Sequence, residues 1–317
     1  MISVSNLTKY YADNLALDHA SFEVEEHDVV GFLGPNGAGK STAMKIITCF
    51  LPPSVGTAKV DGFDILKQPM QVRRRIGYMP ENVPLYMEMR VREYLNFRAK
   101  IKDVPRKERK KRLEMVMERC WLTNVARQTI GTLSKGYRQR VGLADAMVGN
   151  PKILILDEPT IGLDPNQVRQ VRSLIRDLGQ DHTVVLSTHI LPEVEVVCNK
   201  VVIINAGRIV VQDKLDGLKR DVGPTAEYYL EVKGPAEAVK SALGRVEGVT
   251  DVREHSVADT PGAAGFIFKV PRRGDSASAV AAKVIQSGWV IKELRRRERT
   301  LEDVFIEVIG RDTAATT

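Results

Sequence analysis

The spacing of apolar residues predicts short buried strands that alternate with helices over the first two thirds of the chain. The clearest strands are predicted at Val29–Leu33, Ile153–Leu156, Thr183–Ser187 and Val201–Ile204. Short apolar strands that alternate with helices are typical of a parallel sheet with both faces covered. We therefore expect an α/β fold.

Two helices of this region have predicted boundaries. The first follows a glycine-rich turn, has an apolar face that runs from Ala43 to Phe50, and is ended by Pro52. The second is expected to have Asp164 as its N-cap and Pro165 as its first residue.

The last third of the chain has a different order of elements. Residues 213–224 are polar, contain Gly and Pro, and predict a linker. Residues 225–310 then predict the order βαββαβ plus a final helix, which favours a ferredoxin-like sandwich. The final helix is predicted at 301–309, with Thr300 as N-cap and Gly310 as its stop.

Composition excludes several classes of protein. The chain has 317 residues, enough for two domains. Its three cysteines are far apart and form no CxxC pair, so neither a disulfide framework nor a zinc site is expected. We find no signal peptide and no apolar run near the ~20 residues of a membrane helix, so any membrane role is expected to come through a partner.

One segment matches a phosphate-binding pattern. Gly34–Ser41 reads GPNGAGKS and satisfies G-x-x-x-x-G-K-[ST]. Glycines allow backbone N–H groups to surround phosphate oxygens at the start of the following helix. Lys40 would neutralise the β and γ oxygens, and the Ser41 hydroxyl would ligate Mg²⁺. A glycine-rich hairpin is the alternative, but the flanking strand and helix favour the phosphate loop.

Two further strings are weaker when taken alone. The strand Ile153–Leu156 ends in Asp157 and Glu158, which suit Mg²⁺ binding and the polarisation of an attacking water. A solvated strand end is the alternative. Ser134 and Gly136, in LSKGYRQR, head a predicted helix, and on physical grounds alone this is an N-capped helix.

In this order, GPNGAGKST, LSKGYRQR, ILILDEPT, GLDP and LSTH resemble the nucleotide-binding subunit of an ATP-binding cassette (ABC) transporter. The resemblance covers about residues 1–212. It is strongest to the exporter-type branch, which includes gliding-motility and drug or polysaccharide export ATPases. The final TLEDVFIEVIG is similar to a C-terminal extension found in that branch.

The resemblance implies a P-loop NTPase fold of the ABC type, with a mixed sheet and a helical subdomain. The nucleotide-binding domain is then expected at 1–220, with the helical subdomain at about 85–150. A small α+β ferredoxin-like domain would follow at 221–317. It contains no catalytic constellation and is expected to stabilise a dimer or regulate it; a small-ligand sensor is the alternative.

The resemblance also implies roles for individual residues. Tyr11 would stack on adenine, with Tyr10 as the alternative, and Glu158 and His189 would act in hydrolysis with Lys40. The residues expected to hold the phosphates of ATP are Gly34, Asn36, Gly37, Ala38, Gly39, Lys40, Ser41 and Thr42.

Further residues are expected to hold the metal or to act across an interface. Mg²⁺ would be held by Ser41, Glu81 and Asp157. The signature residues Ser134 and Gly136 would contact the γ-phosphate of the nucleotide held by an opposite subunit. Asp164 matches the loop that couples the two sites and is expected among the nucleotide-binding residues.

Two strings depart from the family pattern. Glu81 stands where Gln is usual; it still offers oxygen to Mg²⁺, but it adds negative charge and titrates. Lys135 and Tyr137 give Ser-Lys-Gly-Tyr in place of the commoner Ser-Gly-Gly-Gln, while Ser134 and Gly136 are retained.

The chain has one P-loop and one signature string, so the resemblance implies that two cassettes, expected to be two copies of this chain, pair head-to-tail around ATP. A separate membrane permease would use the movement, for export. The expected location is cytoplasmic, peripheral on the inner face of the membrane.

Other classes of ATPase fit the sequence less well. A chromosome or DNA-repair ATPase would need a long coiled coil, and a translation-associated protein usually has two cassettes. A P-loop kinase or GTPase would lack LSKGY and GLDP.

The net charge is +7 and is concentrated in one region. Residues 98–119 contain ten basic and four acidic residues, in what is expected to be one helical stretch. A solvated helix face and an attraction to anionic lipid headgroups are both open interpretations. No nucleic-acid partner is expected.

Overall fold

The computed structural model describes residues 1–219, 225–255, 263–271, 276–297 and 300–315. Contacts between residues divide the chain into two compact units. One comprises Met1–Leu215 and Phe305–Thr317, and the other comprises Asp216–Val304. No helix in the described ranges is both long enough and apolar enough to span a membrane.

Strands of the first unit form two sheets. They are β1 (Ile2–Tyr11), β2 (Asn14–Val24), β3 (Val29–Leu33), β4 (Val55–Val60), β5 (Phe63–Asp64), β6 (Ile76–Met79), β7 (Ile153–Asp157), β8 (Thr183–Thr188), β9 (Lys200–Asn205) and β10 (Arg208–Lys214). An antiparallel sheet has the order β2-β1-β4-β5, and a second sheet has the order β10-β9-β3-β8-β7-β6. In the second sheet only β10 runs antiparallel to its neighbour.

Helices cover this mixed sheet. They are α1 (Lys40–Ile47), α2 (Pro69–Arg75), α3 (Val91–Ile101), α4 (Arg106–Arg119), α5 (Lys135–Val148), α6 (Pro165–Leu178) and α7 (Leu191–Val197). The short helix α8 (Leu215–Lys219) follows β10, and from Asp216 onward it belongs to the second unit. Short 3₁₀ turns at Thr123–Val125 and Ile130–Thr132 connect α4 to α5.

The apolar strand β7 shows why the sheet is buried on both faces. Ile153 and Ile155 pack into a core shared with β1, β2 and α1. Leu154 and Leu156 point to the opposite face, into a core shared with α3, α4, α5 and α6. Because successive side chains of a strand point to opposite faces, a strand between two covered faces needs an uninterrupted apolar run. This confirms the predicted α/β sheet.

The second unit has the predicted βαββαβ order. Its elements are β11 (Thr225–Lys233), α9 (Ala236–Leu243), β12 (Thr250–His255), β13 (Ala263–Pro271), α10 (Ser276–Gln286) and β14 (Val290–Arg296). The last helix, α11 (Leu301–Ala315), belongs to this unit only as far as Val304, since the residues from Phe305 onward are grouped with the first unit. The strands form one antiparallel sheet in the order β12-β13-β11-β14. This is the split βαβ topology of a ferredoxin-like sandwich, and α9 and α10 share a core with the sheet.

Two predicted helix ends are wrong. Helix α1 ends at Ile47, and the N–H groups of Phe50 and Leu51 both return to the carbonyl of Lys45. Phe50 therefore lies outside the helix and is 71% exposed. Helix α11 continues past Gly310 to Ala315, because a glycine inside a helix costs only about 1 kcal/mol.

Two other predictions are wrong in part. The basic stretch 98–119 is interrupted, since α3 ends at Ile101 and α4 begins after Pro105. In the predicted linker, Asp213 and Lys214 complete β10 because its partner β9 extends that far. The following residues form α8, and residues 220–224 of the linker lie outside the described residues.

Candidate active site

A phosphate-binding loop connects the buried strand β3 to α1. Gly39 is the N-cap of α1 and has φ 102, the left-handed conformation that favours glycine. A Cβ on Gly39 would lie 2.5 Å from the carbonyl oxygen of Ala16. The loop can therefore close onto the start of α1 only with glycine here, and the N–H groups of the first helical turn are left available to an anion.

Lys40 is held at the base of this loop. Its Nζ donates to the carbonyl oxygens of Gly34 at 2.8 Å and Pro35 at 3.0 Å. It also lies 4.0 Å from Glu158 Oε1. Burial lowers the pKa of Lys40, although Glu158 and Asp157 oppose that shift. At 4.0 Å from Glu158, the buried ammonium group of Lys40 forms no hydrogen bond to that carboxylate, so its charge is available to neutralise phosphate oxygens.

The two carboxylates stand at the end of β7, beside the end of β8. Asp157 is 1% exposed, and its Oδ1 accepts from the Ser187 hydroxyl at 2.7 Å. The next residue, Glu158, has φ 49, a conformation uncommon for a residue other than glycine. The Glu158 N–H donates to the Ser187 carbonyl at 3.0 Å. Ser187 thus fixes both carboxylate residues relative to β8.

Glu158 faces His189, the residue that follows β8. Glu158 Oε1 lies 2.9 Å from His189 Nδ1. Within the described residues, its other oxygen, Oε2, is buried and has no hydrogen-bond partner. Burial raises the pKa of Glu158 above that of an ordinary glutamate, against the opposing effects of His189 and Lys40. The result is a more basic carboxylate with one oxygen available to a bound molecule.

Most of the residues expected at the nucleotide surround a single pocket of about 480 Å³. The predicted residues that line it are Tyr11, Asn36, Gly37, Gly39, Lys40, Ser41, Thr42, Glu81, Glu158 and His189. Gly34 and Ala38 belong to the loop but do not line the pocket, and the buried Asp157 does not line it either.

Aromatic and acidic residues stand at the rim of this pocket. Tyr11 lines it and is 42% exposed, whereas the alternative Tyr10 is not among the lining residues. Glu81 lines both this pocket and a neighbouring groove that includes Ser41 and Asp157. The three residues expected to hold the metal thus border one groove.

The signature residues lie elsewhere. Ser134 caps α5, and its Oγ accepts from the Tyr137 N–H at 3.4 Å. Asp164 caps α6 through the N–H groups of Asn166 and Gln167, at 2.9 and 3.0 Å. None of Ser134, Gly136 and Asp164 lines the P-loop pocket.

The starts of α5 and α6 pack closely together. A Cβ on Gly136 would clash with the side chain of Gln167, and a Cβ on Gly162 would lie 2.5 Å from Lys135 Nζ. Lys135, which departs from the family pattern, therefore lies across the loop that precedes α6. Tyr137 Oη accepts from Asn124 Nδ2 at 3.2 Å, which ties the start of α5 to the segment after α4.

Sequence reasoning missed a buried carboxylate next to the site. Glu193 is 1% exposed. It accepts from the hydroxyl groups of Thr160 at 2.5 Å and Thr188 at 2.9 Å, and Arg172 Nη2 lies 3.4 Å away. Glu193 therefore connects the segment after β7, which contains Glu158, to the end of β8, which His189 follows. No local pattern reveals this burial, because Glu195 on the other side of Val194 is exposed and the partners Thr160 and Arg172 are distant in sequence.

A family model described as "ABC transporter" matches residues 17–161. The Bacitracin transport ATP-binding protein BcrA of Bacillus licheniformis is 30% identical over 315 residues, which cover 99% of this chain and 98% of that protein. The chain belongs to the ABC transporter ATP-binding family. The Daunorubicin resistance ATP-binding protein DrrA3 of Streptomyces coeruleorubidus is also 30% identical, over 98% of this chain and 96% of that protein.

Solved ABC cassettes have the same fold as the first unit. A dimeric, post-hydrolysis state of the cassette MJ0796 bound to ADP and Pi has a TM-score of 0.63 and 26% identity, and the match covers 68% of this chain and 99% of that one. This ABC protein is accordingly an ATP-binding and ATP-hydrolysing subunit of the transporter family, and its relatives include export and resistance types.

Proposed function

We propose that this ABC subunit binds MgATP in the P-loop pocket and hydrolyses it as one half of a head-to-tail pair. The observation that supports the pairing is the separation of Ser134 and Gly136 from the pocket that contains Lys40 and Glu158. One chain does not surround a nucleotide with both sets of residues. A second copy that presents its signature helix would complete the site, and the dimeric cassette described above supports such pairing.

Glu158 is proposed as the general base. Its free Oε2 and its raised pKa, caused by burial, suit it to accept a proton from water. His189 holds Oε1 at 2.9 Å and so orients the carboxylate toward the pocket. Lys40 and the loop N–H groups bind the phosphates, where they stabilise the charge that develops during phosphoryl transfer.

The residues present fit a magnesium ion that is bound together with the nucleotide. Within the described residues, no group of three or more His, Cys, Asp or Glu side chains could hold a metal by itself. Mg²⁺ usually takes one or two carboxylates, waters and substrate phosphates. Asp157, Glu81 and the Ser41 hydroxyl would provide the protein's share, and the ion would neutralise phosphate charge when bound.

A membrane permease is the proposed partner, and export the proposed direction. The groove next to the site, of about 610 Å³, is lined by Ser41 and Asp157 and extends to the exposed Phe50. Phe50 lines this groove together with the apolar Val83 and Pro84, and an apolar patch with polar residues around it is typical of a protein interaction site. A permease segment bound in this groove would lie next to Ser41 and Glu81, so a movement of these residues on nucleotide binding would reach the permease. The chain would then work on the cytoplasmic face of the membrane, bound to the permease.

We also propose the domain boundary at 220/221, with the C-terminal domain stabilising or regulating the pair. The separate core of the second unit, which includes Leu230, Phe266 and Phe268, supports an independent domain.

Tyr11 is proposed as the adenine-stacking residue, in preference to Tyr10, because it lines the pocket.

Glu158→Gln tests the assignment of the base. The substitution keeps the shape of the side chain but removes its basicity, so we expect steady-state hydrolysis to fall by roughly 10²-fold or more. Affinity for a fluorescent ATP analogue should stay within about threefold of the parent. The exposed Glu26→Gln is the matched control and should hydrolyse normally. Full turnover by Glu158→Gln would remove Glu158 from this role.

Lys40→Ala tests the phosphate-binding loop. The loop loses the one cation that its own carbonyl groups hold in place, and we expect nucleotide affinity to fall by about tenfold or more. Lys45→Ala, a change of the same type in the last turn of α1, is the control. Equal affinities in equilibrium titrations of the two variants would contradict the assignment.

A further inference from the structure

A recess in the helical part of the first unit concentrates positive charge. It has a volume of about 540 Å³ and lies between α3, α4 and the segment around Arg127. Its basic side chains are Arg90, Arg92, Lys100, Arg106, Arg109, Lys110 and Arg127. The one carboxylate among the lining residues is Glu93. This recess shares no residue with the P-loop pocket.

The carboxylates nearby leave most of this charge uncompensated. Glu93 Oε2 accepts from the Arg90 N–H at 3.2 Å, a contact that caps the start of α3. Arg92 lies 3.9 Å from Glu114, and both side chains are about half exposed, so the pair contributes little. Arg106, Lys110 and Arg127 have no ion pair within the described part of the chain. Several cations thus face one space without counter-charges.

The start of α4 adds positive potential to the same recess. Pro105 is the N-cap and supplies no side-chain hydrogen bond. The N-terminal end of a helix has a partial positive charge, where acidic residues stabilise and basic residues destabilise. Here Arg106, Arg109 and Lys110 occupy the first turns and line the recess, and Glu108 is the one acidic residue of the first turn. An anion bound in the recess would offset the repulsion between these cations and the positive end of α4.

We propose that this recess is a binding site for the phosphate group of an anionic ligand, separate from the nucleotide site. Arg and Lys side chains together with uncapped N–H groups are the donors that recognise phosphate. The recess is in the size range of small-molecule sites and is much roomier than a single ion requires. Leu113 and Ala126 provide an apolar part of its wall, which suits the organic portion of a phosphate ester. A phospholipid headgroup and a soluble organic phosphate both offer this chemistry.

The test compares two double variants of α4 that lose equal charge. R106Q/K110Q removes two cations that line the recess, whereas K107Q/K111Q removes two exposed cations of the same helix that do not line it. One arm measures co-sedimentation with vesicles of phosphatidylcholine containing phosphatidylglycerol, against pure phosphatidylcholine. The other arm titrates inorganic pyrophosphate by calorimetry in a Lys40→Ala background, so that the P-loop does not compete.

For R106Q/K110Q, we expect binding of the anionic probe to weaken by about tenfold or more, with little effect in K107Q/K111Q. If R106Q/K110Q loses binding to the anionic vesicles, the ligand is a phospholipid headgroup. If it loses binding to pyrophosphate only, the ligand is a soluble phosphate compound. The unfolding midpoint of R106Q/K110Q should equal or exceed that of the parent, because like charges are removed at the positive end of α4. ATP hydrolysis should be unchanged in both variants.

Equal behaviour of the two variants in both arms would overturn the proposal, since charge alone and not the recess would then decide binding. Absence of binding by the parent in both arms would also overturn it. A labelled oligonucleotide held more tightly than either probe, and released by R106Q/K110Q, would assign the recess to nucleic acid instead and overturn the small-phosphate assignment.

Discussion

At the residue scale, a few contacts around Glu158, the proposed general base, set how readily its carboxylate is protonated. Burial raises the pKa of Glu158, and the hydrogen bond from His189 is the largest effect in the opposite direction. Ser187 fixes the neighbouring carboxylate at 2.7 Å. The pKa of Glu158 is therefore a balance in which desolvation outweighs the contact with His189 and the charge of Lys40.

This balance predicts the pH dependence of hydrolysis. A general base must be deprotonated, so kcat/KM should fall as the pH drops through the raised pKa of Glu158, above the pH at which an ordinary glutamate titrates. His189→Ala removes the contact that lowers this pKa, so the acid limb of its residual activity should move to higher pH. Stopped assays across pH 4–9 on both proteins, corrected for acid unfolding, measure this shift. An unmoved limb in His189→Ala would show that His189 does not tune Glu158.

Several of these residues could be predicted from the sequence, and others could not. Lys40, Ser41, Asp157 and Glu158 stand in short contiguous strings whose spacing is set by a strand and a turn. Glu193 depends on Thr160 and Arg172, which are 33 and 21 residues away. Such a contact exists only after the sheet brings distant strand ends together, so local patterns do not reveal it.

At the element scale, the ends of β7 and β8 are held in register by buried polar groups. Glu193, from the first turn of α7, bonds to Thr160 after β7 and to Thr188 at the end of β8. Arg172 on α6 approaches the same carboxylate at 3.4 Å. One buried group therefore fixes the positions of the segments that present Glu158 and His189.

Glu193→Gln is expected to weaken this junction. An amide retains one acceptor oxygen but loses the charge that faces Arg172, and we expect the free energy of unfolding to fall by about 1–3 kcal/mol. Turnover should fall as well, because Glu158 and His189 lose their fixed spacing. Urea unfolding and ATPase assays measure both effects. Exposed Glu118→Gln serves as the comparison, and equal stability of the two variants would argue against a structural role for Glu193.

The elements themselves were largely predictable, because their patterns are long and regular. The apolar run Val29–Leu33 is β3 to the residue, and Asp164 caps α6 as predicted. The errors lie at ends that tertiary contacts decide. The apolar Phe50 satisfies the helical spacing, yet backbone bonds to Lys45 close α1 before it.

At the scale of the whole molecule, the arrangement of the site accounts for the need for a partner. Lys40, at the start of α1, and Glu158, directly after β7, line one pocket, whereas Ser134 and Gly136 begin a helix whose first turn packs on the start of α6. The resemblance to ABC cassettes implies that both groups act on one nucleotide. The fold of one chain shows that they do not line one pocket, so the missing half is expected from a second chain.

The most direct test of this account mixes two inactive proteins. Lys40→Ala disables the P-loop, and Ser134→Glu disables the signature, so each homodimer should be inactive. In a mixed head-to-tail dimer, one site contains both defects and the other contains none. Random pairing of equal amounts should therefore restore about a quarter of the parent ATPase activity. Co-purification of differently tagged copies shows whether mixed dimers form. If they form but ATPase activity stays at the level of the two separate variants, a site shared between two chains is contradicted.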